Sequence, residues 1–255
     1  MLIQDSFVDV KTSSNDMRVH LFTPKLQNGS TAKFPALIVF SEIYQVTGPV
    51  KRLCRRLAGE GFLVASPCVF HESEGAREMR YDAEDTKLGN ELKLTKKSEA
   101  TDEDLRLTVD TLLALPQCNG RVGATGICYG GHLAFRAFKD PRVSAIVTFF
   151  GTDIHSGTLS PNGDDSLRLA KEGHIGKDVE MLLIFGKLDN HVPRDGRDLI
   201  RSTLDNAGVR FTWLELANAQ HAFVRDEDEK GRYDPAITQC CISLALELFS
   251  RTICL

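Results

Sequence analysis

Short apolar runs rich in β-branched and aromatic residues recur along the chain at 17–22, 34–40, 62–66, 121–125, 145–150, 181–185 and 211–216. Amphipathic segments of helical length lie at about 49–60, 103–115, 129–139, 194–207 and 236–251. A continuous apolar run fits a strand buried on both faces, and the amphipathic stretches fit helices that supply the cover. Their alternation predicts an α/β fold, with a mostly parallel central sheet and helices on both faces. In the last helix Ile237, Cys241, Leu244, Leu248 and Cys254 mark an apolar stripe expected to dock on the sheet.

No repeat, low-complexity tract or linker divides the 255 residues, so 1–255 reads as one domain. One stretch departs from the rhythm. Between positions 72 and 104, 17 of 33 residues are Asp, Glu, Lys or Arg, with Gly75 and Gly89-Asn90 as turn signals. It reads either as a solvated excursion or as a flap over a site.

Composition narrows the classes further. A 42% hydrophobic, 26% charged mixture is that of a globular domain, which excludes disordered, collagen-like and membrane chains. The net charge of −4, with no basic stripe, speaks against nucleic acid or an anionic membrane as partner. Seven cysteines form no Cys-x-x-Cys pair, so a zinc framework and a disulfide scaffold are both unexpected, and reduced thiols imply the cytoplasm. The first eleven residues carry Asp5 and Asp9 and lack the apolar run of a signal peptide, and Cys254 stands in the wrong place for prenylation.

The segment from Arg121 to Phe135 carries the chemistry. An apolar run ends in Gly126-Ile127-Cys128-Tyr129-Gly130-Gly131 and turns directly into a helix. This is the pattern of a nucleophile elbow with Cys in place of Ser, in which glycines leave room for a strained strand-to-helix turn. The helix start then aims amides and its positive dipole end at the sulfur. A thiol nucleophile needs a base oriented by an acid, and in a parallel sheet both belong on loops after later strands. Asp189 follows the run 181–185, and His221 follows the run 211–216. Cys128, Asp189 and His221 therefore stand in the order nucleophile, acid, base. Taken singly, each has a plain structural use: a buried thiol in a Gly-rich turn, or an Asx turn before Pro193. His132, at i+4 from Cys128, is expected to point along its helix, and Asp153 is the reserve acid. The loop Ser41-Glu42-Ile43-Tyr44 follows the run 34–40 and offers the Ile43 amide as partner to that of Tyr129 in an oxyanion hole.

With Ile38-Val-Phe-Ser-Glu42-Ile43-Tyr44, Gly126-Ile-Cys128-Tyr-Gly130-Gly131, Gly186-x-x-Asp189-x-x-Val192-Pro193 and His221-Ala-Phe223-Val-Arg225, the sequence resembles the dienelactone hydrolases, or carboxymethylenebutenolidases. These are α/β-hydrolases with a Cys-His-Asp triad, and the resemblance runs from about residue 35 to 225. It implies that Glu42 helps to activate the cysteine and that Arg225, with Tyr44, meets a carboxylate-bearing lactone. For the family's second clamping arginine the nearest match is Arg80, inside a charged segment that departs from the better-known bacterial pattern. The expected partner is thus a small ester or lactone, with no cofactor and no metal; monomer and dimer both stay open. Thioesters or general carboxylic esters are the alternative substrates, and a noncatalytic ligand sensor is the alternative of another class.

Overall fold

The computed structural model describes residues 1–27, 29–227 and 231–254. Its strands are β1 (Ile3–Lys11), β2 (Asp16–Pro24), β3 (Phe34–Phe40), β4 (Leu63–Pro67), β5 (Cys118–Ile127), β6 (Val143–Phe149), β7 (Glu180–Gly186) and β8 (Arg210–Leu216). The helices are α1 (Gly48–Gly59), α2 (His71–Glu74), α3 (Ala83–Thr95), α4 (Ser98–Leu113), α5 (Tyr129–Arg136), α6 (Ser166–Lys171), α7 (Arg194–Asn206) and α8 (Pro235–Thr252). One eight-stranded sheet runs in the order β1-β2-β4-β3-β5-β6-β7-β8. The β1–β2 and β2–β4 pairs are antiparallel, and every pair from β4 to β8 is parallel.

Strand β3 shows how the sheet is covered. Ala36, Ile38 and Phe40 enter one apolar layer while Leu37 and Val39 enter the other, because successive side chains point to opposite faces. Helices α1 and α8 close the Leu37 side; α4, α5 and α7 contribute to the Ile38 side. In α1 the buried Val50, Cys54, Leu57 and Ala58 lie at the i, i+4, i+7 spacing of one helical face, and a proline in the first turn fits the free N-terminal amides. In α8 the stripe differs from expectation. Cys241 and Leu248 face the sheet together with Ile242, Ala245 and Phe249, while Leu244 and Cys254 are exposed. The stripe through Cys241 turns toward 242 and 245 and carries Leu244 out to solvent.

Two further elements were not expected. Strand β1 has most of its residues exposed and is held through its antiparallel register with β2. The charged segment 72–104 is largely helical, with α2, α3 and the start of α4 inside it, and Gly89-Asn90 lies within α3 instead of at a turn. The Asp82 side chain caps α3 by accepting the Asp85 N–H at 2.9 Å. No helix among the described residues is long and apolar enough to cross a membrane.

Because β3, β5, β7 and β8 run parallel, their C-terminal ends at Phe40, Ile127, Gly186 and Leu216 share one edge of the sheet. The loops beyond that edge carry Glu42, Cys128, Asp189 and His221. This rim is where open parallel sheets bind their ligands.

Candidate active site

Cys128 sits between the last residue of β5 and the first of α5 with φ 58° and ψ −120°, a conformation that L-residues rarely adopt. Its surroundings show what enforces it. A Cβ on Gly126 would lie 2.0 Å from the Gly130 carbonyl oxygen, and one on Gly130 would lie 2.2 Å from that of Phe40. Strand, turn and helix are thus pressed backbone to backbone, and only glycine fits at both contacts. The turn is tied on both sides, by the Cys128 N–H donating to Phe149 O at 3.1 Å and the Thr152 N–H donating to Cys128 O at 3.2 Å.

The acid and base loops interlock in the same manner. A Cβ on Gly186 would meet Ala219 O at 2.2 Å, and the Leu188 N–H donates to that oxygen at 3.1 Å. Asp189, buried, uses both carboxylate oxygens. Oδ1 accepts the His191 N–H at 2.8 Å, an Asx turn, while Oδ2 accepts His221 Nδ1–H at 2.8 Å. The two readings of Asp189 are therefore compatible. With Nδ1 committed, the other ring nitrogen of His221, Nε2, has no oxygen or nitrogen partner. Burial alone would push this imidazole down. The neighbouring Cys128 sulfur and the Asp189 hydrogen bond outweigh it and hold the ring well above the usual histidine range. The ring is wedged between Phe150, with centroids 5.0 Å apart, and His191, at 4.2 Å.

Across the rim, the loop after β3 is buried from Ser41 through Val46. The Ile43 and Tyr129 amides donate to no backbone acceptor among the described residues, so both N–H groups are available at the elbow. Glu42 is 1% exposed, with Oε1 on Arg225 Nη1 at 3.1 Å and Oε2 unpartnered. Burial raises its carboxyl above the usual range, against the opposing pull of Arg225 and His221.

Residues 17–253 match the sequence profile described as "Dienelactone hydrolase family". The chain belongs to the dienelactone hydrolase family. A relative from Saccharomyces cerevisiae named "Putative carboxymethylenebutenolidase" is 51% identical over 255 residues, covering 98% of this chain and 93% of its own length. One of the same name from Synechocystis is 25% identical over 202 residues, covering 78% of this chain and 79% of its own. A crystal structure titled "Putative Dienelactone Hydrolase" from Klebsiella pneumoniae superposes with a TM-score of 0.82 at 21% identity, over 98% of this chain and 100% of that one. The fold is that of the α/β-hydrolases, and the chain is a hydrolase.

Within this dienelactone hydrolase family member the remaining expected residues fall into two groups. Arg225 and Tyr44 lie at the rim. Arg225 is 4% exposed, its Nε donates to Glu227 Oε1 at 2.9 Å, and its guanidinium sits over the Tyr81 ring at 4.5 Å. Tyr44 is buried, with its Oη 2.9 Å from Thr86 Oγ1. Arg80 is not brought there. Its side chain is 68% exposed and paired with Asp82 at 3.0 Å and Asp85 at 3.5 Å, because the start of α3 turns these acids toward it. His132 is fully buried, with Nδ1 on Thr152 O at 2.8 Å and Nε2 facing Asp164 at 3.0 Å, so the ring is directed into the body of the fold and away from the rim. Asp153 is held by Lys93 at 2.8 Å.

Glu227 and Gln45 give no signal in the sequence, and His191 is marked there only as a neighbour of the Asp189 loop, at the surface or in a hydrogen bond. His191 covers His221; Glu227 engages Arg225; Gln45 ties the Glu42 loop to its neighbours by accepting the Phe70 N–H at 3.1 Å and donating to Arg77 O at 3.0 Å. Each acts across the fold or from an irregular loop, where no periodicity marks it. A group of metal-ligand type, His71, Glu72 and Asp104, lies elsewhere. The Lys96 ammonium is 2.8 Å from Asp104 and also pairs with Glu72, which fills the place of a cation.

Proposed function

We propose that the chain hydrolyses a small ester or lactone of the dienelactone type through Cys128, His221 and Asp189, by way of an acyl-enzyme. The observation that carries this reading is geometric: Cys128 stands in a strained turn between β5 and α5, on the same rim as a His221 ring fixed by Asp189 through Nδ1 with Nε2 left without an oxygen or nitrogen partner. An imidazole in that position can take the proton of the sulfur and so generate the thiolate nucleophile. The thiolate attacks the carbonyl, and the Ile43 and Tyr129 amides receive the oxyanion. Collapse breaks the bond to the leaving oxygen, which takes its proton from His221 Nε2. The neutral imidazole then removes a proton from water, the hydroxide attacks the thioester, and the carboxylic acid departs with Cys128 returned to thiolate. Glu42, close to Arg225 and with Oε2 unpartnered, suits the activating role that the family resemblance implies.

The test is turnover of p-nitrophenyl butyrate. Cys128→Ala is expected to lose about 10³-fold or more in kcat/KM, the scale on which removal of a nucleophile acts. Iodoacetamide should label Cys128 ahead of the buried Cys54, Cys68 and Cys241. Near wild-type turnover by Cys128→Ala would remove the sulfur from the mechanism.

A further inference from the structure

Resting on the hydrolase reading above, we infer that His191 is a positioning residue, whose ring lies against that of His221 and, with Phe150, fixes the plane in which the base presents Nε2. A hydrogen bond at Nδ1 holds one atom of an imidazole and leaves the ring free to swing about that contact. The Asp189 Oδ2 contact at 2.8 Å is of this kind. His221 belongs to no helix or strand, and its neighbour Ala222 has a φ of 65°, so the base is carried by a loop and not by a ladder of backbone bonds. Two rings limit the swing. Phe150 meets His221 edge to face with centroids 5.0 Å apart, and His191 meets it at 4.2 Å with the two planes 42° apart. Phe150 is wholly buried whereas His191 is exposed, so the ring on the open side of the base is that of His191.

The place of His191 is set by its backbone. Its N–H donates to Asp189 Oδ1 at 2.8 Å, so the carboxylate that orients His221 also seats the residue that covers it. On the other side Val192 is buried and its carbonyl accepts from Arg197 Nη1 at 2.7 Å, while the Arg197 N–H donates to Pro193 O at 3.0 Å. The chain from 189 to 193 is thus pinned by groups other than the His191 side chain, and a substitution at this exposed position alters the ring against His221 while leaving the loop in place. The imidazole acts there as an uncharged ring. Contact with His221 withdraws part of it from water, which pushes its pKa below the ordinary histidine value; the charges of His221, Arg232 and Lys93 push the same way, and Asp189 opposes them. A phenyl ring can therefore take its part, and a side chain that only hydrogen-bonds cannot.

The experiment measures kcat and KM for p-nitrophenyl butyrate in the wild type, His191→Ala, His191→Gln and His191→Phe, with circular dichroism to establish the fold of each. His191→Ala and His191→Gln are expected to lose about fivefold or more in kcat with KM changed by less than about twofold, a loss on the scale of one aromatic ring pair. His191→Phe, which restores the ring without the nitrogens, should return kcat to within about twofold of wild type. If His191→Ala alone fails to fold, the Gln and Phe variants decide the matter. A kcat of His191→Gln equal to wild type overturns the inference, and so does a natively folded His191→Phe no more active than His191→Gln. A loss confined to KM overturns it as well, because the ring would then be meeting substrate and not the base. If the wild type does not turn the ester over, the hydrolase reading itself fails and takes this inference with it, an outcome distinct from equal rates in all four proteins.

Discussion

At the scale of single residues the site depends on one hydrogen bond made from a turn. Asp189 spends Oδ1 on the His191 amide and thereby aims Oδ2 at His221, so loop geometry and imidazole orientation are set by the same side chain. Asp189→Asn keeps the shape and removes the charge. Loss of a carboxylate partner lowers an imidazole that now titrates well above its ordinary range, since one charge-assisted hydrogen bond is worth roughly one to two pKa units. The direction follows: a raised imidazole stays protonated through neutral pH and loses its proton only as pH climbs through the folded value, and in the variant that loss moves to lower pH. The expected result is a kcat lower by about 10²–10⁴-fold and a downfield-to-upfield step of the His221 Cε1–H resonance displaced to lower pH. A histidine titration identical to wild type would separate Asp189 from His221. Asp189 and His221, like Cys128, were legible in the sequence, because each stands shortly after an apolar run and the parallel topology brings such positions to one rim. Glu227 was not, since two residues beyond Arg225 in an irregular loop no pattern separates a partner from any exposed acid.

At the scale of elements the informative piece is α3, which lies in the charged segment that reads from sequence as either a solvated excursion or a flap. It is a helix pressed onto the loop that carries Ile43: a Cβ on Gly89 would lie 2.5 Å from the Ile43 carbonyl oxygen and 2.9 Å from the Ile43 Cβ. The hydroxyl contact between Thr86 and Tyr44 and the Met79 N–H donated to Tyr44 O at 3.1 Å fasten the same loop. Gly89→Ala therefore sets two effects against each other. Alanine favours the helix by about 0.5–1 kcal/mol, whereas the clash is with backbone and must move either α3 or the Ile43 amide. Unchanged helicity with kcat/KM for p-nitrophenyl butyrate reduced about tenfold is expected, tenfold being what a displacement worth 1.4 kcal/mol at the transition state costs. Asn90→Ala, one residue on and exposed, is the control, and equal kcat/KM in both variants would detach α3 from the Ile43 loop. Why α3 was missed is physical. Its buried residues include Asp85 and Gly89, so no apolar period announces it, and Gly89-Asn90 imitates a turn. Strand β1 was missed for a related reason: it is an edge strand with both faces largely in solvent, and nothing selects apolar residues at every second position. The strands β2 to β7 are covered and the edge strand β8 is half-buried, and their composition shows it.

At the scale of the whole molecule the elbow is held from behind by a buried ionic network that joins three parts of the chain. Asp164, with its side chain 2% exposed, accepts from Arg136 Nη1 at 2.8 Å and from the Ser166 N–H at 2.9 Å, and lies 3.0 Å from His132 Nε2. His132 and Arg136 belong to α5, which begins immediately after Cys128, and Arg136 reaches on to Asp102 of α4 at 2.6 Å. The network thus ties the helix that follows Cys128 to α4 and to the loop before α6. Burial alone would raise the Asp164 carboxyl; His132 and Arg136 reverse this and hold it well below the usual carboxylate range. A carboxyl depressed on folding contributes stability that is fully present above its unfolded pKa, near 3.9, and is lost as pH falls toward the folded value. Asp164→Asn leaves Arg136 buried with one anion fewer, a change that costs about 3–5 kcal/mol when a buried pair is broken from one side. Calorimetry at pH 7 should show the variant melting several degrees lower. Between pH 5 and pH 3 the wild-type Tm should fall more steeply than that of the variant, because only the wild type has this carboxylate to lose. If the two proteins melt together at pH 7, the network does not hold the fold; if they melt apart by the same margin at every pH, the loss comes from packing and not from the charge on Asp164.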